Sequence, residues 1–330
     1  MKVEIKKDIY QEIHDLLHKA RQNIISNINS TMTKTYFLIG KRIVEEEQNG
    51  NKRAEYGKKL IKMLSKKLTK EFGKGFSETN LKQMKTFYIN YEKSQTLSAQ
   101  FKLSWSHYLI LMRIENINAR NFYEIEAFEN NWSLRELKRQ VNSSLYERLV
   151  LSKDKEKVKE LAVKGQIIEK AQDIIKDPYI LEFLGLDEKS DYSENKLETE
   201  IINKLEMFLL ELGKGFTFVG RQVRFTFDER HFRVDLVFYN RLLKCFVLID
   251  LKIGEVTHQD LGQMQMYVNY YDRYVKLPDE NDTIGIIICK DKNDTLVKLT
   301  LPKDNNQIFA SRYTTILPSL DEFKKIIEEY

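Results

Sequence analysis

At 330 residues, with 42% hydrophobic and 31% charged residues but only 13 Gly and 4 Pro, the chain suits two helix-rich domains better than one small one. No apolar run nears the ~20 residues of a membrane span, the N-terminus lacks an apolar signal core, and Cys245 and Cys289 have no CxxC partner; the expectation is a soluble cytoplasmic protein with no membrane partner and no zinc or redox chemistry. The net charge of +5 is uneven, with 35 Lys and Arg against 26 Asp and Glu in residues 1–190 but 19 against 23 in 191–330, so a basic half suited to a polyanion precedes an acidic half.

Residues 1–150 read as helical throughout. Ile9, Ile13, Leu16 and Leu17 recur at helical spacing, as do Tyr36, Ile39, Gly40 and Ile43. Asn49-Gly50-Asn51 marks a turn. A helix is expected over 53–72, with Leu60, Met63, Leu64 and Leu68 on one face and Lys58, Lys59, Lys62, Lys66, Lys67 and Lys70 on the other. Gly73-Lys74-Gly75 ends it, and Ser77 is a candidate N-cap for a helix reaching Tyr91, which carries Lys82 and Lys85. Two helices joined by a tight glycine turn sketch a helix-turn-helix, although a plain helical hairpin with solvated lysines has the same outline. Another helix spans 105–114 with His107 in it, read as a packed residue. Ser133-Leu134-Arg135-Glu136 is a capping box opening a helix with Arg135, Lys138 and Arg139 as candidate polyanion contacts. Mixed charges at 153–157, the Asp177-Pro178 break and a short helix over 180–184 fill a linker region, followed by a polar loop over 187–195.

The period then changes. An amphipathic helix is expected over 197–212, closed by Gly213. Strands are expected at 216–219, 223–227, 232–239 and 244–251, the last two joined by a hairpin turn at Asn240-Arg241. A helix over 257–271, a buried strand over 283–289, edge strands at 297–301 and 313–317, and a closing helix over 320–330 complete the chain.

Chemistry concentrates on two of these strands. Asp235 lies on one, and Asp250-Leu251-Lys252 on the next. Residues two apart on a strand share a face, so Asp250 and Lys252 point the same way. Charged groups at the end of an apolar strand are expensive unless paired or bound to something charged. Paired carboxylates suit Mg²⁺ or Mn²⁺, and an adjacent lysine suits a water or the charge on a phosphorus. The simpler alternative is a strand-end salt bridge between Lys252 and an aspartate. Glu198, beside the apolar stripe of its helix, is a third candidate metal ligand. Gln263 and Tyr267 are four apart on one helix face and able to support the site. Gly220-Arg221-Gln222 at a strand junction offers Arg221 and Gln222 to phosphate. His231 and His258 flank these strands and read as exposed loop residues.

Asp235 followed by Asp250-x-Lys252 resembles the PD-(D/E)XK nuclease core. The segments Phe208-Leu209-Leu210-Glu211-Leu212-Gly213-Lys214-Gly215-Phe216, Phe218-Val219-Gly220-Arg221-Gln222, Asp235-Leu236-Val237-Phe238-Tyr239 and Gly262-Gln263 resemble the nuclease domain of the YhcG family, and Gln263-x-x-x-Tyr267 is similar to the QxxxY motif of RecB-like nucleases. Ile39-Gly40-Lys41-Arg42-Ile43-Val44-Glu45, Leu103-Ser104-Trp105-Ser106-His107-Tyr108 and Asn131-Trp132-Ser133-Leu134-Arg135-Glu136-Leu137 are similar to that family's N-terminal domain. Asp250 departs from the pattern, since family members more often carry Glu there.

The resemblance implies an α/β restriction-endonuclease-like domain, a mixed sheet flanked by helices, preceded by an all-α domain. The expected organisation is 1–150 helical, basic and DNA- or partner-binding, 151–190 linker, and 191–330 nuclease. The implied activity is metal-dependent phosphodiester cleavage in DNA, with RNA the less favoured substrate. Catalysis would fall to Asp235, Asp250, Lys252, Gln263 and Tyr267, with metal held by Glu198, Asp235 and Asp250. Alternatives are a non-cleaving nucleic-acid-binding module or regulatory subunit of a defence or repair assembly, and a homodimer or adaptor built on the N-terminal helices.

Overall fold

The structure is a computed structural model that describes residues 9–49, 54–92, 101–151, 155–186, 192–227 and 229–317. They fall into two compact units, 1–138 and 139–330. No helix among the described residues is long and apolar enough to cross a membrane. The expected turn at Gly50-Asn51 and closing helix over 320–330 lie outside the described residues.

The first unit is helical. It contains α1 (Ile9–Asn49), α2 (Ala54–Phe72), α3 (Glu78–Tyr91), α4 (Trp105–Leu111), α5 (Ile117–Glu129) and the start of α6 (Leu134–Asn142). Ser77 caps α3 by accepting from the Asn80 amide. Ile9, Ile13, Leu16 and Leu17 lie exposed on α1, so their helical spacing does not mark a core. The core forms further along, where Ile43 meets Ile61, Leu81 and Met84. Six lysines, Lys58, Lys59, Lys62, Lys66, Lys67 and Lys70, line the exposed face of α2. Aromatic rings fill the middle of the unit: Phe87 contacts Phe37, Tyr91, Phe101, Trp105 and Tyr108.

Gly40 lets α1 and α3 approach. A Cβ there would stand 2.0 Å from the Met84 carbonyl oxygen. Gly40→Val is therefore expected to force the helices apart and to destabilise this unit by about 1–3 kcal/mol or more. Both tryptophans of the chain, Trp105 and Trp132, belong to this unit, so thermal unfolding followed by tryptophan fluorescence reports it selectively. An unshifted midpoint contradicts the close packing.

The second unit holds α7 (Leu145–Leu151), α8 (Lys155–Lys164), β1 (Tyr179–Ile180), α9 (Glu194–Asn203), α10 (Leu205–Leu212), β2 (Phe216–Phe227), β3 (Arg230–Asn240), β4 (Cys245–Glu255), α11 (His258–Tyr274), β5 (Ile284–Asp291), α12 (Asp294–Thr300) and β6 (Ile308–Thr314). The six-stranded sheet has the order β1-β6-β5-β4-β3-β2. β2, β3 and β4 are antiparallel neighbours, whereas β4, β5, β6 and β1 run parallel. The apolar alternation of β4 explains the layering. Val247, Ile249 and Leu251 join the core beneath α9 and α10, and Leu248 joins the core beneath α11. Cys245 and Cys289 are buried and unbridged, and burial pushes both thiols up to about 12.

Four local expectations change. Residues 313–317 are not an edge strand: Tyr313 and Thr314 end β6, which starts at Ile308 and lies inside the sheet between β1 and β5. The helix expected over 197–212 is two helices, broken at Lys204, whose ammonium bonds the Leu184 carbonyl. Residues 297–301 are not an edge strand. They belong to α12, which Asn293 caps by accepting from the Leu296 amide. The two short strands expected before residue 228 are one strand, β2, bent by a register shift between Phe218 and Gly220 and carrying Gln222 at φ 48°.

Candidate active site

The β3–β4 register pairs Leu236 with Ile249, so Asp235 and Asp250 stand next to each other across the ladder. Asp235 is anchored from below: its Oδ2 accepts from the Leu251 amide at 2.9 Å. Lys252 follows Asp250 on the same face, and its Nζ lies 2.8 Å from Asp250 Oδ2. The salt bridge is therefore real, but it is not an isolated pair.

Glu194 Oε2 lies 4.0 Å and Asp260 Oδ1 3.8 Å from the same ammonium. Neither was singled out from the sequence. Asp260 had a readable signal: Thr257-x-x-Asp260 is a capping box, in which Asp260 Oδ2 accepts from the Thr257 amide. That bond fixes the first turn of α11 and leaves Oδ1 toward Lys252. Glu194 opens α9 behind its cap, Ser193.

Glu198, one turn further along α9, is buried and reaches the cluster. The link is Gln222. Its Nε2 donates to Glu198 Oε2 at 2.7 Å and to Asp235 Oδ1 at 3.0 Å. The left-handed backbone at Gln222 interrupts the strand's alternation at this residue. Gln222 thus contacts the carboxylates themselves. Arg221 Nε stands 3.6 Å from Glu198 Oε1, a weak ion pair that leaves the arginine about half exposed.

Tyr267 is buried against the cluster, and its hydroxyl accepts from Gln263 one helical turn earlier. Burial, together with Asp250 and Asp235, raises the proton affinity of this phenol. The sequence-selected residues Glu198, Asp235, Asp250, Lys252, Gln263 and Tyr267 are therefore brought together.

Electrostatics follow from crowding. Burial and the neighbouring Asp235 raise the Asp250 carboxyl to about 7, against the pull of Lys252. Burial and Asp235 also raise Glu198, opposed by Gln222 and Arg221. Burial works against the Lys252 charge, but Asp250, Glu194 and Asp260 outweigh it and raise its proton affinity. Lys252 therefore stays cationic at neutral pH.

Among the described residues, no three His, Cys, Asp or Glu side chains converge as a finished metal cage. The geometry gives the reason: Gln222 stands between Glu198 and Asp235, and Lys252 covers one oxygen of Asp250. The donor set nevertheless fits a hard divalent cation. It consists of carboxylate oxygens, and the buried Glu198 Oε1 has no hydrogen-bond partner. Rotation of the Gln222 amide would expose Glu198 and Asp235 together.

The remaining candidates lie elsewhere. Lys82, Arg135 and Lys138 are exposed in the first unit, and Lys85 there pairs with Glu47. Arg139 does not face solvent. It is buried, 3.0 Å from Glu211 and 3.2 Å from Glu182, so its charge is neutralised inside the second unit and is withheld from a polyanion. His107 is packed, with Nδ1 2.7 Å from Ser104 Oγ and Nε2 3.0 Å from the Trp132 carbonyl. His231 and His258 are exposed.

A mixed sheet flanked by helices, with Asp235 and Asp250-x-Lys252 on adjacent strands, defines a PD-(D/E)XK nuclease domain. Residues 172–328 match the family described as YhcG PDDEXK nuclease domain, and residues 12–148 match the DUF1016 N-terminal domain. The chain is 40% identical to the Escherichia coli (strain K12) protein described as "Putative nuclease YhcG", over 97% of this chain and 93% of that protein. The chain belongs to the YhcG family. Among solved structures, a repair endonuclease from Pyrococcus abyssi is similar at 17% identity and TM-score 0.26, covering 38% of this chain and 49% of that one. A complex of EndoMS with double-stranded DNA is similar at 12% identity and TM-score 0.28, covering 41% and 50%. The chain thus matches about half the length of each, and neither likeness is close enough to carry functional detail. Nucleases of the PD-(D/E)XK class are in general dependent on a divalent metal ion.

Proposed function

We propose that the second unit hydrolyses phosphodiester bonds in DNA with Mg²⁺ or Mn²⁺ as cofactor, and that the basic helical unit contributes to holding DNA. The observation that carries this reading is the convergence of Asp235, Asp250 and Lys252, with Glu198 joined to them through Gln222. Glu198, Asp235 and Asp250 would hold the metal. Bound there, the ion would polarise the phosphoryl oxygens and acidify a water.

The protein's own groups have distinct work. Hydrolysis forms a new P–O bond from water and breaks one ester P–O bond, whose oxygen leaves with the electron pair and is protonated. Negative charge grows on the phosphoryl oxygens as this happens. Lys252 is held cationic by three carboxylates, so its role is to orient the water and offset that charge rather than to act as a base. Tyr267 and Gln263 fix the α11 side of the site. Arg221, half exposed beside Glu198, would touch phosphate. Lys82, Lys85, Arg135 and Lys138 are the proposed DNA contacts of the helical part.

The test is cleavage of supercoiled plasmid and linear duplex in Mg²⁺, Mn²⁺ or EDTA by wild type, Asp235→Ala and Lys252→Ala. Metal-dependent cutting lost in both variants supports the enzyme. Equal cutting by all three overturns it. Tight metal-independent binding without cutting replaces it with a non-cleaving binding module.

A further inference from the structure

We propose that the outer part of the β2–β3 ribbon, residues 223–227 and 230–234, is an arginine arm that clamps the DNA backbone beside the acidic cluster, with Arg224 and Arg233 as the phosphate-holding pair. The proposal rests on the nuclease reading and makes its substrate contact concrete.

The ribbon outruns the sheet. β3 pairs with β4 from Leu236 to Asn240, but its pairing with β2 continues to Phe227 opposite Arg230. A bare two-stranded ribbon is marginal in water. Here five rings, three on the ribbon and two on α11, join it to that helix. Phe225 stacks on Tyr270 at 4.1 Å and on Phe232 at 5.6 Å, Phe227 stacks on Phe232 at 5.1 Å, and Phe225 meets Tyr267 edge-on at 5.5 Å. The arm is therefore rigid on the α11 side.

The other face carries the charge. Arg224 and Arg233 are direct cross-strand partners, each adjacent in sequence to an inward phenylalanine. Neighbouring side chains alternate, so both guanidinium groups stand on the face away from α11. Both residues are exposed, and neither has an ion pair with a described residue. Like charges directly opposite each other destabilise a ribbon. Residues 221–233 hold four arginines and His231 against Asp228 and Glu229, so nearby carboxylates are too few to relieve the repulsion.

A bound polyanion reverses the sign of that interaction. Guanidinium forks match phosphate oxygens two at a time. Two successive levels along the ribbon carry arginine on the side away from α11: Arg221, 3.6 Å from Glu198 of α9, and then Arg224 with Arg233, whereas Arg230, opposite Phe227, falls on the α11 face. A single phosphate would need one level, whereas a nucleic-acid backbone presents phosphates in sequence. The location is consistent with this. Arg224 is two residues past Gln222, and Arg233 two residues before Asp235, about 7 Å along a strand in each case. A backbone lying on the arm would run directly toward the carboxylates.

The experiment compares wild type with Arg224→Gln/Arg233→Gln, which keeps side-chain length at exposed positions. Three quantities are read: the salt dependence of binding to a short fluorescein-labelled DNA duplex in EDTA, metal-dependent turnover of bis(4-nitrophenyl) phosphate, and thermal midpoint without DNA. The log–log salt slope is expected to shrink by about 2, at ~0.9 per phosphate contact, with at least about a tenfold rise in Kd at fixed salt. Turnover of the small diester should stay unchanged, because it is too short to reach the arm, and the midpoint should hold or rise as repulsion is relieved. An unchanged slope with metal-dependent diester turnover intact overturns the arm and leaves the nuclease standing. A changed slope in a protein that cuts neither plasmid DNA nor the diester supports the arm and removes the nuclease. A midpoint lowered by more than about 4 °C shows that the arginines are structural, and also overturns the proposal.

Discussion

Lys252→Met is expected to lower Mg²⁺-supported DNA cleavage by about 10²–10³-fold or more, the usual consequence of removing one preorganised donor that offsets transition-state charge. The same change should also weaken the fold, because Lys252 is the only cation within 4.0 Å of Asp250 among the described residues. Asp250→Asn separates the two effects. It should abolish cleavage as completely while leaving the metal-free protein as stable or more stable, since it removes a buried carboxylate pressed against Asp235. The pH dependence follows with a definite sign. The Asp250 carboxyl of the folded protein sits near 7, above its ordinary value of 3.8, so the folded state binds the proton more tightly than the unfolded chain. The contribution of this group to stability is thus greatest below about 4 and is lost as pH rises to about 7, by about 2–4 kcal/mol. Denaturant titrations in EDTA at pH 4.5 and 7.5 should show that loss in wild type and not in Asp250→Asn. Added divalent metal should restore stability at the higher pH. A wild-type protein whose stability matches the asparagine variant at both pH values contradicts the crowded geometry.

Much of this site was legible because its residues lie close in sequence or on regular elements. Asp235 and Asp250 flank one hairpin, Asp250 and Lys252 are two apart on a strand, and Gln263 and Tyr267 are one helical turn apart. In each case the period alone places the side chains together. What was illegible depends on tertiary context. Gln222 faces the carboxylates because its φ is 48° within a continuous strand, a conformation that nothing in Gly220-Arg221-Gln222 announces. Residues 297–301 alternate apolar and polar side chains as a strand would, yet the Asn293 cap and the exposed position of Leu299 favour a helix. The break at Lys204 has no glycine or proline to signal it. Arg139 shares a short, basic helix with Arg135 and Lys138, which suggested a solvated face. Its partners Glu182 and Glu211 are 43 and 72 residues away, beyond the reach of any local pattern.

The most destabilising single substitution expected in the second unit is Glu211→Ala, at a position far from the chemistry in role if not in sequence. Glu211 is fully buried in α10, and so is its partner Arg148, whose Nη1 lies 2.6 Å from Glu211 Oε1. Arg139 Nη2 lies 3.0 Å from Oε2, the Ile180 amide donates to Oε1 at 2.9 Å, and the Lys176 ammonium bonds the Glu211 backbone carbonyl. Burial alone would raise the carboxyl, but Arg148, Lys176 and Arg139 overcome it and hold it down at about 2. Removing the anion leaves buried cations without compensation, a change that costs about 3–5 kcal/mol in comparable networks. For a unit of this size that corresponds to a fall of about 6–20 °C in Tm. Calorimetry on the whole chain should show the loss in the transition that tryptophan fluorescence does not report. Glu211→Gln keeps shape but not charge and should lose most of the same stability. Replacing the network together, as Glu211→Leu/Arg148→Met/Arg139→Met/Lys176→Met/Glu182→Gln, should recover much of it, because well-packed uncharged side chains can substitute for a buried ion-pair network but not for half of one. The acid limb supplies a second check. A carboxylate depressed from 4.5 to about 2 contributes stability that is complete above about 4.5 and is lost as pH falls through about 2. Wild type should therefore weaken over that window by more than Glu211→Gln does. If the two weaken in parallel, the anion is not what holds α10 to its arginines.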